Sequence, residues 1–330
     1  MALVVVVRAR TGRAPARRGL NVAVGTEAIA GLTSFIVVAA DSGALLRDCV
    51  ESVLAGDPGN AFELLLVDNA SVDGVVEQVE AAHRADARLR VLRNASNLGF
   101  GPACNRGAAQ AGGDVLVLLN PDCIVPREFI ARARGALTAE PRNIGVLGVQ
   151  VTDTDGRPAR GNRRRDPTLR RALATLTGVA RLEPRWPACQ GVEMPPAKGV
   201  GIEPVEAVSG ACMILPRAAF ERVGGFDEAY FLHAEDLDLC RRVRDAGWHV
   251  AIDPDTRVVH AQGSSSRARP LFVARHKHRG MWRYFTKFDP AARNPLLRGV
   301  VWIGIWAHFM LKAPLLALRG ALRAPRGRES

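Results

Sequence analysis

Between residues 33 and 148, short unbroken apolar runs alternate with longer segments whose apolar residues recur every three or four positions. Residues 35–39, 63–67, 89–92 and 114–119 read as strands, apolar enough to be covered on both faces. Residues 45–54, about 75–85 and about 102–111 read as helices, the first with Leu45, Leu46, Cys49, Val50, Val53 and Leu54 on one stripe. Strand and helix in alternation predict an α/β fold with a mostly parallel sheet. Ligands of such sheets bind beyond the carboxyl ends of the strands. Asp41, Asp68-Asn69 and Asn120-Pro121-Asp122 fall at those ends and form the polar rim.

The alternation stops at about residue 152, and residues 151–204 read as a long irregular segment with a helix around 169–179. A strand-like run, 205–215, interrupted by Gly210, restores order. The chain then passes through Gly224-Gly225-Phe226-Asp227 into a helix opened by Glu235 and Asp236, striped by Leu239, Val243 and Ala246 and closed by Gly247. Residues 250–252 and 258–259 read as short strands. Residues 299–318 are long enough to span a bilayer. They carry His308, Lys312 and Pro314 with arginines at either end, which favours a helix lying in the membrane interface; a span and a helix packed on the soluble body are the alternatives. The chain thus divides into a poorly ordered extension (1–32), a main domain (33–270, in parts 33–150, 151–204 and 205–270) and a basic, amphipathic helical tail (271–330).

Composition narrows this picture. Apolar residues are 48% of the 330 and charged residues 24%, which suits a folded globular protein. The net charge of +12 asks for an anionic partner: a nucleic acid, an anionic membrane surface or a phosphorylated substrate. Nucleic acid is disfavoured, because the basic clusters lack interleaved aromatics and aromatics are only 5%. Cys49, Cys104, Cys123, Cys189, Cys212 and Cys240 form no Cys-x-x-Cys pair and sit in apolar runs, as reduced thiols of a cytoplasmic protein do. Residues 2–7 are too short for a signal-peptide core, so residues 1–32 read as an extension or a start assigned too early.

Several residues could carry chemistry. Adjacent carboxylates Glu235 and Asp236 suit general base work, although acids opening a helix are also ordinary dipole electrostatics. Asp122 can hold a divalent ion bridging phosphates or merely cap a turn. Asp68 can accept hydrogen bonds from a base or ribose, or close a strand-end turn, and His260 beside Asp122 would complete an oxygen-and-imidazole metal site. The glycine-rich run from Asn97 to Gly107 is neither a dinucleotide fingerprint nor a Walker loop and by itself gives only a tight turn and a helix start.

Taken in order, these segments resemble family 2 glycosyltransferases. The resemblance rests on Val67-Asp-Asn-x-Ser-x-Asp73, Asn97-x-Gly-Phe-Gly-x-Ala-x-Asn-x-Gly107, Leu118-Leu-Asn-Pro-Asp122, Ser209-Gly-Ala-x-Met213, Gly224-Gly-Phe-Asp-Glu228, Glu235-Asp-x-Asp-Leu239 and His260, and covers about residues 34–266. The Asn-Pro-Asp form and His276-Lys-His-x-Gly-Met-Trp-Arg-Tyr-Phe285 look most like bacterial rhamnosyltransferases of cell-surface polysaccharide synthesis. The resemblance implies a GT-A fold over residues 33–270, an inverting mechanism and a divalent cation, magnesium or manganese. It implies a nucleotide-sugar donor, most simply dTDP-rhamnose, with a UDP-hexose or UDP-N-acetylhexosamine as the alternative, and a lipid-linked or growing glycan as acceptor. A non-catalytic membrane-associated member is the other alternative. Asp236, with Glu235 beside it, would be catalytic. Asp41, Asp68, Asn97, Gly101, Asn105, Asp122, Ser209 and Gly210 would meet the donor, and Asp122 and His260 would hold the metal. Asn120 stands where the family's first metal-motif acid is common, and Ala40-Asp41 where Tyr-Asn is common. The enzyme is expected to be cytoplasmic, peripheral on the inner face of the membrane through its tail.

Overall fold

The structure, a computed structural model, describes residues 31–138, 143–195, 201–261 and 269–323, with side chains to Leu318 in the last helix. Of the expected N-terminal extension only residues 31 and 32 lie among them. The first half runs β1 (Thr33–Ala39), α1 (Leu45–Leu54), β2 (Phe62–Asp68), α2 (Val75–Ala82), β3 (Leu89–Arg93), α3 (Phe100–Gln110) and β4 (Val115–Leu119), close to the limits that the apolar periods set. It continues through β5 (Cys123–Ile124), α4 (Phe129–Thr138) and β6 (Ile144–Thr152). The irregular segment holds β7 (Arg163–Arg164) and α5 (Leu169–Thr177). Then follow β8 (Glu203–Pro204), β9 (Ala207–Val208), β10 (Cys212–Pro216), α6 (Arg217–Arg222), α7 (Glu235–Asp245) and β11 (His249–His260). Two helices end the described chain, α8 (Pro270–Phe288) and α9 (Pro295–Arg323).

Among the described residues the main sheet has nine strands, in the order β3-β2-β1-β4-β10-β6-β11-β5 with β8 added on β11. The first four are parallel; β10 enters antiparallel to both β4 and β6. Side chains alternate between the two faces, as a doubly covered sheet requires. Phe35, Val37 and Ala39 pack with the apolar stripes of α1, α2 and α4. Ile36 and Val38 point to the other face, against α3, α6, α7 and Tyr284 of α8. Burying a side chain such as Leu64 or Leu118 contributes about 1.5–3 kcal/mol, and the sheet is lined with such residues. Helix α3 lies close on β1 and β2 because Gly107 brings no side chain: a Cβ there would stand 2.6 Å from Ile36 Cγ2.

The polar rim forms as the periodicity anticipates. Register Ala39↔Asp68 and Val37↔Leu119 brings the ends of β2, β1 and β4 to one edge. Because β10 runs backwards, its beginning comes to that same edge, where Asn120 N–H donates to Ala211 O at 2.9 Å.

The irregular segment is pinned by three consecutive arginines that aim at three different places. Arg163 reaches Glu203 and Pro195 O, Arg164 reaches Asp236 and Val208 O, and Arg165 reaches Glu183 and Gly191 O. Buried Asp166 next to them accepts from Arg241 and Arg244 of α7 and from Tyr284 Oη of α8, tying the segment to both helices. The expected tail is two helices. Helix α8 packs on the body, and α9 packs on α8 through His278 Nε2 and His308 Nδ1 at 2.9 Å. The stretch Pro295–Leu318 is 24 residues long, apolar enough to cross a membrane, and none of its most apolar stretch is buried.

Candidate active site

Helix α7 starts abruptly. His233 and Ala234 both take left-handed backbone (φ 68° and 73°), a costly conformation for residues with a Cβ and one that clusters at functional sites. The strain delivers Glu235 and Asp236, both buried, into the first turn. There the unsatisfied amides and helix dipole favour negative charge.

The two acids live differently. Asp236 Oδ2 accepts from Gly210 N–H at 3.0 Å and from the Arg164 guanidinium, while Oδ1 accepts from Leu237 N–H at 2.8 Å. Burial alone would raise the Asp236 carboxyl, but Arg164 and these amides more than offset it and hold the group below the ordinary aspartate range. Glu235 is pushed well above the ordinary glutamate range, first by burial and then by the charge of Asp236. Its Oε2 has no hydrogen-bond partner among the described residues. The site therefore holds one ionised acid and one protonated acid side by side. An ionised carboxylate is what proton abstraction needs.

Gly210 is the contact point between Asp236 and the rim. A Cβ on it would stand 3.2 Å from Asp236 Oδ2, so the carboxylate lies directly against its backbone. Ser209 Oγ accepts from Ala211 N–H at 3.2 Å, and Ala211 O bonds to Asn120 N–H as above. Two residues beyond Asn120, Asp122 Oδ1 lies 3.0 Å from His260 Nε2. Pairing of β5 with β11 (His260↔Cys123) and Ala261 N–H donating to Asp122 O at 3.0 Å fix that meeting.

Asp122, Cys123 and His260 offer ligand atoms within 4.8 Å of one another. Cys123 does not fit a hard cation. Its thiol donates to Ala211 O at 3.4 Å and is driven far up by burial, and next by the Asp122 charge, so it stays protonated. The Asp122 carboxylate suits a hard divalent cation such as magnesium or manganese, and the His260 imidazole beside it favours the softer of the two, manganese. Asn120 Nδ2 stands 3.5 Å from His260 Nε2, behind the pair.

At the other end of the rim, Asp68 and Asp41 are tied to one loop. Ser71 N–H donates to Asp68 Oδ1 at 2.9 Å, Val72 N–H to Asp41 Oδ1 at 2.8 Å, and Asp41 N–H to Ser71 Oγ at 3.3 Å. Turn capping therefore uses Oδ1 of each acid. Asn97 Oδ1 accepts from Asn69 Nδ2 at 2.9 Å and from Gly99 N–H at 3.0 Å. Asn69 Oδ1 in turn accepts from Asn94 and Leu98, so Asn69 centres a network that the sequence left unassigned.

Gly101 and Asn105 lie on α3 against residues 224–228. Asn105 accepts from Phe226 N–H at 2.8 Å and donates to Phe226 O at 2.9 Å and Glu228 Oε1 at 3.0 Å. Gly101 packs on Phe226. The structure thus gathers Asp41, Asp68 and Asn97 at β1 and β2, and Ser209, Gly210, Asp236, Asp122 and His260 around β4, β10 and β11. Arg164, the partner of Asp236, was not among the residues singled out in the sequence.

Comparison with known proteins gives the following. Residues 34–191 match the family described as Glycosyl transferase family 2, and residues 197–309 match Glycosyl transferase family 21. The chain is 31% identical over 295 residues to an N-acetylglucosaminyl-diphospho-decaprenol L-rhamnosyltransferase of Mycobacterium tuberculosis, covering 81% of this chain and 89% of that one. It is 30% identical over 244 residues to the O-antigen biosynthesis protein RfbC of Myxococcus xanthus, covering 71% of this chain and 18% of that one. Among solved structures, the mannosyltransferase PcManGT of Pyrobaculum calidifontis with GDP-Man and Mn2+ superposes with a TM-score of 0.53 at 18% identity, covering 88% of this chain and 73% of that one. GalNAc-T7 with UDP, GalNAc and Mn2+ gives a TM-score of 0.57 at 18% identity, covering 86% of this chain and 54% of that one. These two share the GT-A fold with this chain.

Proposed function

The chain belongs to glycosyl transferase family 2 and is a glycosyltransferase, and from that premise we propose that it moves L-rhamnose from dTDP-rhamnose, with inversion, onto a lipid-linked glycan acceptor. The observation that carries this reading is the short path Asp236–Gly210–Ala211–Asn120, which joins an ionised carboxylate to the Asp122–His260 pair. The acceptor hydroxyl gives its proton to Asp236. Its oxygen then attacks the anomeric carbon from the face opposite the departing group. The bond from that carbon to the diphosphate oxygen breaks, and the nucleoside diphosphate leaves with the electron pair. A divalent cation held by Asp122 and His260 would neutralise charge on the departing diphosphate. Asp68 and Asp41 would meet the nucleoside. Arg164 keeps Asp236 ionised and aimed at Gly210. Glu235, protonated, adds no second negative charge to the site.

The transferred sugar and the acceptor named here follow the mycobacterial relative, whose described activity is L-rhamnosyl transfer to a decaprenyl diphosphate sugar, and the dTDP carrier is our own proposal. Exposed Leu296, Val300, Trp302, Ile303, Met310 and Leu311 on α9 support attachment to a membrane surface, within reach of a lipid-linked acceptor. The test is calorimetric titration of the purified chain with dTDP, UDP, GDP and ADP, with and without manganese, followed by transfer assays with the matching nucleotide sugar. Manganese-dependent binding of dTDP above UDP is expected. Preference for UDP overturns the donor, and absence of any nucleotide binding overturns the catalytic reading. For the tail, vesicle flotation of the full chain against one ending at Asn294 checks the attachment. Protease protection of residues beyond 318 would convert the interfacial helix into a span.

A further inference from the structure

Helix α8 carries its cations in two groups. Near its C-terminus, Arg283 and Lys287 are neutralised: Arg283 Nη2 lies 2.8 Å from Asp227, and Lys287 Nζ lies 2.7 Å from Asp227 and 2.7 Å from Asp238. Nearer its N-terminus, Arg275, Lys277 and Arg279 are exposed and have no acidic partner among the described residues. Beside them lies a cavity of about 210 Å³, lined by Tyr230, Phe231, Leu232, His276, Arg279 and Gly280.

One wall of this cavity is aromatic. Phe231 stacks with His276 at 4.5 Å and meets Phe272 edge-on at 5.6 Å. The charge there is positive and uncompensated: His276 is held below the ordinary histidine range by burial, then by Arg279 and Arg275. The floor is backbone, because Gly280 lets α8 approach so closely that a Cβ would stand 2.5 Å from His233 O. His233 opens the left-handed pair that delivers Glu235 and Asp236, so the cavity adjoins the catalytic acids. On its other side α8 bears α9, with the exposed apolar face described above.

An anion is what this arrangement lacks, and the donor does not supply it. The donor's diphosphate belongs at Asp122 and His260, at the ends of the parallel strands. A second anion beside the base, between it and an apolar helix, matches an acceptor whose reacting sugar sits on a lipid-borne diphosphate. We propose that this cavity is the acceptor subsite: Arg279 and Arg275 hold the diphosphate of a lipid-linked acceptor, and Phe231, Phe272 and His276 flank the first apolar units of its stem. The assignment rests on the glycosyl-transfer reading given above and adds where the acceptor binds.

The experiment uses the full chain, with Arg279→Gln and Arg275→Gln made singly and together, in initial-rate assays against a short polyprenyl-diphosphate sugar and against the nucleotide sugar. Charge-assisted bonds to phosphate are the strong ones, so the acceptor KM should rise about tenfold or more per arginine, with the donor KM unchanged. The same sugar on an uncharged alkyl stem should react equally poorly with the native protein and the double variant. An unchanged acceptor KM in the double variant overturns the proposal while leaving the glycosyltransferase reading intact. A native protein that binds the nucleotide sugar yet transfers equally well to charged and uncharged acceptors overturns the lipid-diphosphate acceptor itself. Vesicles of phosphatidylglycerol, with and without the diphosphate lipid, separate the two sources of charge. Loss of vesicle binding in the double variant without any change in acceptor KM assigns the arginines to the membrane surface and overturns the subsite. Both arginines are exposed, so unchanged thermal midpoints will confirm that the variants fold.

Discussion

Arg164→Gln removes the charge opposite Asp236 and leaves the carboxylate its two amide donors. An opposite charge at this range lowers a carboxyl by about 1–3 pH units, which corresponds to about 1.4–4 kcal/mol. That agrees with the roughly 3–5 kcal/mol expected when one partner of a buried ion pair is deleted. The lost bond to Val208 O adds about 1 kcal/mol. In the native protein the Asp236 carboxyl is depressed, so its stabilisation is present above the ordinary aspartate value and lost as pH falls through the depressed one. In the variant, burial and the neighbouring Glu235 act without the guanidinium, and Asp236 rises. The acid limb of kcat/KM should therefore move up by about 1–3 pH units. Denaturant melts should show the variant least stable, relative to native, at neutral to alkaline pH. Through the variant's Asp236 titration that gap should close by about 1.4 kcal/mol per pH unit on acidification. Arg164→Lys restores charge without the two-acceptor reach and should recover part of the shift. An acid limb that stays in place in Arg164→Gln, in a protein that still binds the nucleotide, would refute the assignment of Asp236 as the base that Arg164 keeps ionised.

Three further outcomes are expected. His260→Ala should weaken manganese-dependent nucleotide binding at least about tenfold, since loss of even an outer-shell partner costs that much; binding that ignores manganese in both proteins would return Asp122 and His260 to a plain hydrogen-bonded pair. Glu235→Gln tests the raised acid: a carboxyl lifted by burial is most stabilising below the ordinary glutamate range and loses that contribution as pH rises through its folded value. Unfolding free energies from urea melts should fall for the native chain relative to the glutamine variant by about 1.4 kcal/mol per pH unit from about pH 5 up to its folded value of about 8 and level off above it, and parallel curves would contradict the protonated state. Gly210→Ala places a Cβ 3.2 Å from Asp236 Oδ2; displacement of the base should cut kcat roughly 10–100-fold with donor affinity retained, whereas full activity would show the carboxylate free to move.

The rim of the sheet was legible because its signals are local. Apolar runs ending at Asp68 and Leu119 fix both the strands and the polar residues that follow. Strand β6 was not singled out, although it lies between β10 and β11. Its run is broken by Gly145 and Gly148, which are there for packing: a Cβ at either would stand 2.6 Å from Val243 and Trp248 or from Val208. Arg164 was hidden for a different reason. Its partner is 72 positions away, and a basic triplet in a proline-bearing stretch looks solvated until the fold turns each guanidinium inward. Asn105 shows the reverse: its motif drew attention to donor binding, while its amide joins α3 to the Phe226 loop.

The interleaving of the sheet also sets when the enzyme can come into being. Strands β5 and β6, made early, are neighboured by β10 and β11, made some sixty or more residues later. A ribosome that has released only the first half has produced strands whose partners do not yet exist, with apolar edges such as Leu116–Leu119 uncovered. Pairings of such long sequence separation close slowly. The acids of α7, the histidine at the end of β11 and the seam at Gly210 can then be assembled only after the second half is made. An incomplete chain of this protein would carry Asp41, Asp68 and Asp122 without the base or the histidine, and so could not turn its donor over.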